Sequence, residues 1–313
     1  MFSADRLPMR WSIAPVLVTS TLTALLLAVT AVAGLLFGAR GLYAPDPATL
    51  PAFIGQDAVT LTVILPLLLW SMRAAQRGSL RGLLLWIASL FYVAYSYAYY
   101  ALNPEFSVLY STYIAIVSMS LYVCLYLLVS TDADAVASMV AAHVPVRLAS
   151  SFLIALSLGL GLAWVASILS HLVSGIRPNR VNQVVWPMDL IVLFPAMFWG
   201  GVWLWRHQPL GFLVAPELPI KGGLLGVTLA LNTWLASTFW AVPVEPAVPI
   251  YVIGGVGGLL VALRYLHSVD PPAAVSSRGA EIREPWHEPV AQHIDTALAR
   301  SCTWMQCETE VGG

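Results

Sequence analysis

Residues Asp57–Arg73 read DAVTLTVILPLLLWSMR, and Asp189–Arg206 read DLIVLFPAMFWGGVWLWR. Each stretch opens with an aspartate, runs apolar through one internal proline (Pro66, Pro195), and carries no further charge until its closing arginine. A water-exposed helix needs a polar face, and neither stretch has one. At 1.5 Å per residue the first covers about 24 Å of helix, so with modest flanks it crosses a hydrocarbon core of about 30 Å. Both therefore read as helices that meet lipid.

The same kind of window recurs along the chain. Span one lies in Trp11–Ala39 and span two between Asp57 and Arg73. Span three covers Gly82–Asn103, span four Phe106–Ser130, span five Leu148–Ser174 and span six Trp186–Trp205. Span seven runs from Gly222 to Val242, and span eight from Val248 to Tyr265. The composition agrees: 59% of the 313 residues are hydrophobic and 10% charged, against roughly a quarter charged in a soluble domain. The expected fold is all-α, a polytopic integral membrane bundle of about eight transmembrane helices. The first apolar stretch is longer than a signal-peptide core of about 7–15 residues and reads as a retained span.

Orientation follows from the lysine and arginine bias of short loops. With the N-terminus inside, Arg6, Arg10, Arg73, Arg77, Arg81, Arg147, Arg206, Lys221 and Arg264 fall on the inner side, against Arg40, Arg177 and Arg180 outside. Both termini are thus expected in the cytoplasm, with the chain in the cell membrane. The bundle is expected over 1–267. The polar segment 268–313 follows, broken from span eight by Pro271-Pro272; it reads as a mostly disordered cytoplasmic tail, with a helical turn or more expected over Pro289–Arg300. The inner loop after span four, TDADAVASMVAAHVPVR, reads as a short interfacial helix, with an N-cap among Ser130, Thr131 and Asp132.

Spans two and six match in aspartate, proline, arginine and a following glycine-containing turn. This predicts a parallel 4+4 duplication with halves 1–131 and 132–267. Chance is the competing explanation, since membrane helices commonly end in charges and contain proline.

Asp57 and Asp189 are the sharpest polar features, because a carboxylate below the interface must be paired or wet. Arg177 and Arg180 are candidate ion-pair partners, and Gln56 and Asn103 are polar neighbours. An acidic residue at a helix N-terminus also complements the helix dipole, so both readings stand at this point. Span three is rich in tyrosine (FYVAYSYAYYALN). Tyr92, Tyr95 and Tyr99 share one face at helical spacing, and Tyr97 and Tyr100 lie to other sides. They fit an interfacial aromatic belt with packing, or a wall lining a ligand site. Asn232, central in span seven, fits interhelical glue or a place in the same site. The candidate ligand-binding set is Asp57, Asp189, Gln56, Tyr92, Tyr95, Tyr99, Asn103 and Asn232.

Several chemistries lack their residues. The sequence has no phosphate-binding loop and no GxSxG elbow. His287, His293, Cys302 and Cys307 fit no zinc spacing, and the three cysteines are too few for a disulfide framework. Lys221, placed at the inner edge of span seven, does not support a Schiff-base cofactor. No metal and no cofactor are expected, and a net charge of −1 gives no basic field for nucleic acid.

The stretch from Gln56-Asp57 through Arg81-Gly82, span three with Asn103 and Phe106, and the DLIVLFP…WRHQPLGF segment together resemble a group of uncharacterised bacterial multi-pass integral membrane proteins. The resemblance implies the same membrane bundle and brings no catalytic residue. Three functions follow from the residues. The first is a small-molecule transporter or membrane ligand-binding protein with an outward-facing polar and aromatic site. The second is a membrane-embedded enzyme acting on a lipid or isoprenoid, with an aspartate as acid or base. The third is a non-catalytic sensory or assembly subunit. The sequence leans away from an enzyme. The expected partners are the lipid bilayer, a small-molecule or lipid ligand, and a second copy or a membrane partner subunit.

Overall fold

In the computed structural model, residues 7–43, 50–102, 107–239 and 248–269 are described, Ile250 by its backbone alone. They form twelve α-helices: α1 Ala14–Phe37, α2 Leu50–Val59, α3 Leu65–Gln76, α4 Leu80–Leu102, α5 Tyr110–Ser130, α6 Ala133–Val140, α7 Val146–Ser174, α8 Arg180–Met188, α9 Phe194–Trp205, α10 Pro209–Val214, α11 Glu217–Phe239 and α12 Val248–Val269. No strand occurs among the described residues. Eight helical stretches are long and apolar enough to cross a membrane. Large apolar side chains such as Val18, Leu25, Val29, Leu162, Leu172 and Ile253 cover their outer faces, as lipid solvation requires. The protein is a multi-pass transmembrane helical protein.

Two prolines shape the spans that decided the reading. Pro66 and Pro195 have no N–H, and their rings crowd the carbonyl four residues back. Each helix answers by widening one turn: Thr60–Ile64 and Asp189–Leu193 are π-helical. Leu65 N–H bonds to Thr60 and Phe194 N–H to Asp189, five residues back in both cases. Such a bulge absorbs the misfit without breaking the helix.

The resulting register recurs with a spacing of 129 residues, the distance from Pro66 to Pro195. The π turns at 60–64 and 189–193, the helices 65–76 and 194–205, and the helix starts at Leu80 and Pro209 all keep it. So does the reversal after each helix. Gly78 (φ 83°) and His207 (φ 55°) both take the left-handed conformation. Ser79 N–H bonds to the Ala74 carbonyl and Gln208 N–H to Trp203, closing the same C-terminal motif. Next, Gly82 and Gly211 lie so close to the preceding helix that a Cβ would land on Ala74–Ala75 or Trp203–Leu204. Each of these coincidences has its own physical cause in the backbone.

The helix α4 is the hub. It packs against α3, α5 and α11, and Trp86, Tyr92 and Tyr97 on it are fully buried. By contrast, α7 buries only Val146, Ala149, Ser150, Leu153 and Ser157, all in its first half. Gly226 meets Gly255 backbone to backbone, joining α11 to α12, the close approach that small residues allow between membrane helices.

Several boundaries differ from those expected. Span two begins at Leu50 and span six at Arg180, each with an additional helix ahead of its aspartate. Span seven begins at Pro209 instead of Gly222. The polar residues Glu217 and Lys221 had hidden its start, although both are buried. Lys221 therefore lies inside span seven and not at its edge. The loop helix after span four is present as α6. Asp132 caps it, accepting from the N–H groups of Asp134 (3.1 Å) and Ala135 (3.2 Å). Asn103 and the tail segment, including Pro289–Arg300, lie outside the described residues.

Candidate functional site

Four charged side chains are buried among the described residues: Asp57, Asp189, Glu217 and Lys221. A charge in a dry interior is costly unless paired or hydrogen-bonded, so the partners of each show how it is held.

Asp57 sits where α2 crosses α1. Tyr43 Oη donates to its Oδ2 at 2.6 Å. Gly34 on α1 makes room, since a Cβ there would overlap both groups. Around them stands an aromatic cluster. Tyr43 stacks on Phe53 at 4.9 Å, and Tyr100 lies 4.9 Å from Phe53 and 5.0 Å from Tyr113. Tyr97 and Tyr100 stack at 5.2 Å, and Tyr99 touches Phe53 and Tyr100. Asp57 is thus enclosed by one half of the bundle.

Next to it, Gln56 points toward the other half. Its Nε2 donates to Tyr92 Oη (3.2 Å), and Tyr92 Oη lies 2.8 Å from Thr228 Oγ1 on α11. Asn232, one turn further along α11, presses its Oδ1 against Gly55, and that oxygen accepts no hydrogen bond.

Asp189 occupies the π turn of span six. Tyr95 donates its hydroxyl to Oδ1, and Trp164 Nε1 on α7 donates to Oδ2 at 2.8 Å. Of the expected arginine partners, Arg177 and Arg180 are both exposed, and the donors seen on the carboxylate are aromatic. On the Tyr95 ring rests Lys221, its Nζ 3.3 Å from the centroid. This is a cation–π contact inside the bundle. Lys221 is 0% exposed, and its ammonium finds no hydrogen-bond acceptor among the described residues. Tyr95 thus joins an anion at its hydroxyl to a cation at its face.

Glu217 begins α11, one turn before Lys221. It is 4% exposed, and neither carboxylate oxygen has a hydrogen-bond partner among the described residues.

Of the three tyrosines expected on one face, Tyr92 and Tyr95 meet Thr228, Asp189 and Lys221, whereas Tyr99 packs on Phe53 and Tyr100; Tyr97 and Tyr100 stack on each other toward α5. The two aspartates have separate partners, while Gln56 and Asp189 meet α4 one turn apart, at Tyr92 and Tyr95. Sequence reasoning missed Lys221, Glu217 and Trp164. The burial of the first two follows the 129-residue register, which sets Lys221 opposite Tyr92 and Glu217 opposite Ala88, but that register emerges only from the backbone. Trp164, in a span of uniformly apolar residues, gave no signal. No group of three or more potential metal ligands occurs among the described residues. No family model, curated protein or solved structure matches the chain, so the resemblance read from the sequence carries no further.

Proposed function

We propose that the protein is a small-molecule transporter whose binding site is the meeting of Asp189, Tyr95 and Lys221, flanked by Gln56, Tyr92 and Thr228. The observation that carries this reading is the Lys221 ammonium, buried without an acceptor. A buried donor left unmade costs about 1–3 kcal/mol, and more when charged. Intramembrane charges that bear such a cost commonly line substrate paths. The contact lies where α4 of one half meets α11 of the other, the kind of repeat interface that transporters use. Widened turns in spans two and six, and the interruption of span seven between α10 and α11, supply places where helices can bend. Both termini are assigned to the cytoplasm. Removing Lys221 from the inner tally leaves the arginine asymmetry intact.

The test uses the purified protein in detergent, followed by tryptophan fluorescence on heating. The probes are a panel of amino acids, organic acids, amines and sugars. At least one class should raise Tm by several degrees. The rise should vanish in Asp189→Asn and Lys221→Met, and proteoliposome uptake of the same compound should vanish with it. A panel without effect on the wild type, or equal responses in both variants, contradicts the reading.

A further inference from the structure

The charges around this site do not balance. Asp189 has two aromatic donors, and Lys221 stands on the ring of one of them. Glu217 has nothing equivalent. Among the described residues no cation lies within ion-pair distance of it; the ion pair found there joins Arg10 to Asp132. The first-turn position gives its charge a favourable helix dipole, but both oxygens remain without hydrogen bonds. A carboxylate buried in this way lacks the counter-charge that the interior demands.

The backbone beside it offers further oxygens. Span seven reads GFLVAPELPIKG over 211–222, and α10 ends at Val214 with α11 starting at Glu217. Pro216 and Pro219 have no N–H. They deprive the carbonyls of Phe212 and Ala215 of the donor four residues on. The Phe212 carbonyl is satisfied by Tyr265 Oη on α12 at 2.7 Å. The Ala215 carbonyl is two residues from Glu217 and keeps its lone pairs free of that helical bond. A helix interrupted beside a buried carboxylate, with one carbonyl released from its helical bond, supplies hard oxygen donors of the kind an alkali cation takes.

We propose that Glu217, with the Ala215 carbonyl at the α10–α11 break, forms a site for a single alkali cation. The ion would neutralise the Glu217 carboxylate and bridge the two segments of span seven, one turn from Lys221. This assignment rests on the transport reading for its role as a coupling ion, but its binding can be measured separately.

The experiment follows Tm of the purified full chain at fixed pH and ionic strength while choline chloride is exchanged for sodium chloride or potassium chloride. Binding stabilises the folded state by mass action. One of the two ions should raise Tm by about 5 °C, saturably, an effect of the size expected for about 2 kcal/mol of linkage in a chain this long. Glu217→Gln should abolish the rise. Glu217→Asp, which keeps the charge, should retain it at higher salt, guarding against a folding defect in the first variant. Lys221→Met should keep the rise even where it loses the response to organic compounds, which separates this site from the ligand site. Equal Tm in sodium, potassium and choline would overturn the assignment, as would an unchanged salt response in Glu217→Gln or a stabilisation that follows pH alone.

Discussion

At positions 129 residues apart, the first half of the bundle carries Thr60 and Tyr92 where the second carries Asp189 and Lys221. The backbone around both pairs is the same: a π turn before a proline, a left-handed residue, and a glycine pressed on the previous helix. In the first half the side chains are neutral and their hydrogen bonds close, through Gln56 and Thr228. In the second they are charged, and Lys221 remains without an acceptor. The fold therefore does not require the charges, since the first half builds the same turn without them. On the proposed transport reading, the polar groups of one half hold structure and those of the other bind the ligand.

The largest expected effect tests whether the shared backbone is equivalent. Gly82→Ala and Gly211→Ala each place a Cβ on the backbone of the preceding helix. Each should cost about 3 kcal/mol or more, seen as loss of monodisperse protein after extraction. Sensitivity at one glycine alone would break the comparison.

That equivalence was partly legible in the sequence. Aspartate, internal proline and arginine in the same order, with nearly equal aspartate-to-arginine separations, pointed to spans two and six, and the charge-free windows gave the eight crossings. The exact register was not legible, because the aspartates themselves are out of step: Asp189 matches Thr60, not Asp57. Prolines and helix-end geometry keep the register, and those depend on the backbone. The start of span seven was hidden for a related reason. Glutamate and lysine read as solvent-facing, and only the packing of α11 against α4 and α12 buries them. Of the candidate site, the Tyr95 and Asp189 partnership was within reach, but its Trp164 donor was not.

Next in size are the two tyrosines that hold the aspartates. Tyr43→Phe removes the hydroxyl donor of an enclosed carboxylate, and should cost about 2–3 kcal/mol in a reversible detergent-unfolding titration. Tyr95→Phe leaves Asp189 its Trp164 donor and should cost about 1 kcal/mol. It should nevertheless weaken the response to organic ligands more than Tyr43→Phe does. A larger stability loss at Tyr95 would reverse the division of roles.

A smaller effect lies at the left-handed reversals. Gly78 adopts φ 83° without penalty, whereas His207 holds φ 55° with a side chain. His207→Gly should stabilise the protein, and Gly78→Ala should destabilise it, each by about 1 kcal/mol. Thermal unfolding of the pair checks the opposite signs.

The smallest effect is at Asp132, the cap of α6. The N–H of Ala135 holds its carboxyl below the usual range, with further help from Arg10 and the Asp134 N–H. A lowered folded value means that its contribution is complete above the ordinary aspartate pKa. The contribution fades as pH falls through the depressed one. Between pH 6 and 3 the wild type should lose slightly more Tm than Asp132→Asn. Parallel curves would show that the cap contributes nothing through its charge.

The most direct test of the division between the halves compares Asp57→Asn with Asp189→Asn. The reading is the Tm shift and proteoliposome uptake for the panel compound that most stabilises the wild type. The account predicts that Asp57→Asn keeps the full shift and uptake, because Asp57 is held within one half, while Asp189→Asn folds and loses both. Loss in Asp57→Asn with retention in Asp189→Asn would contradict it.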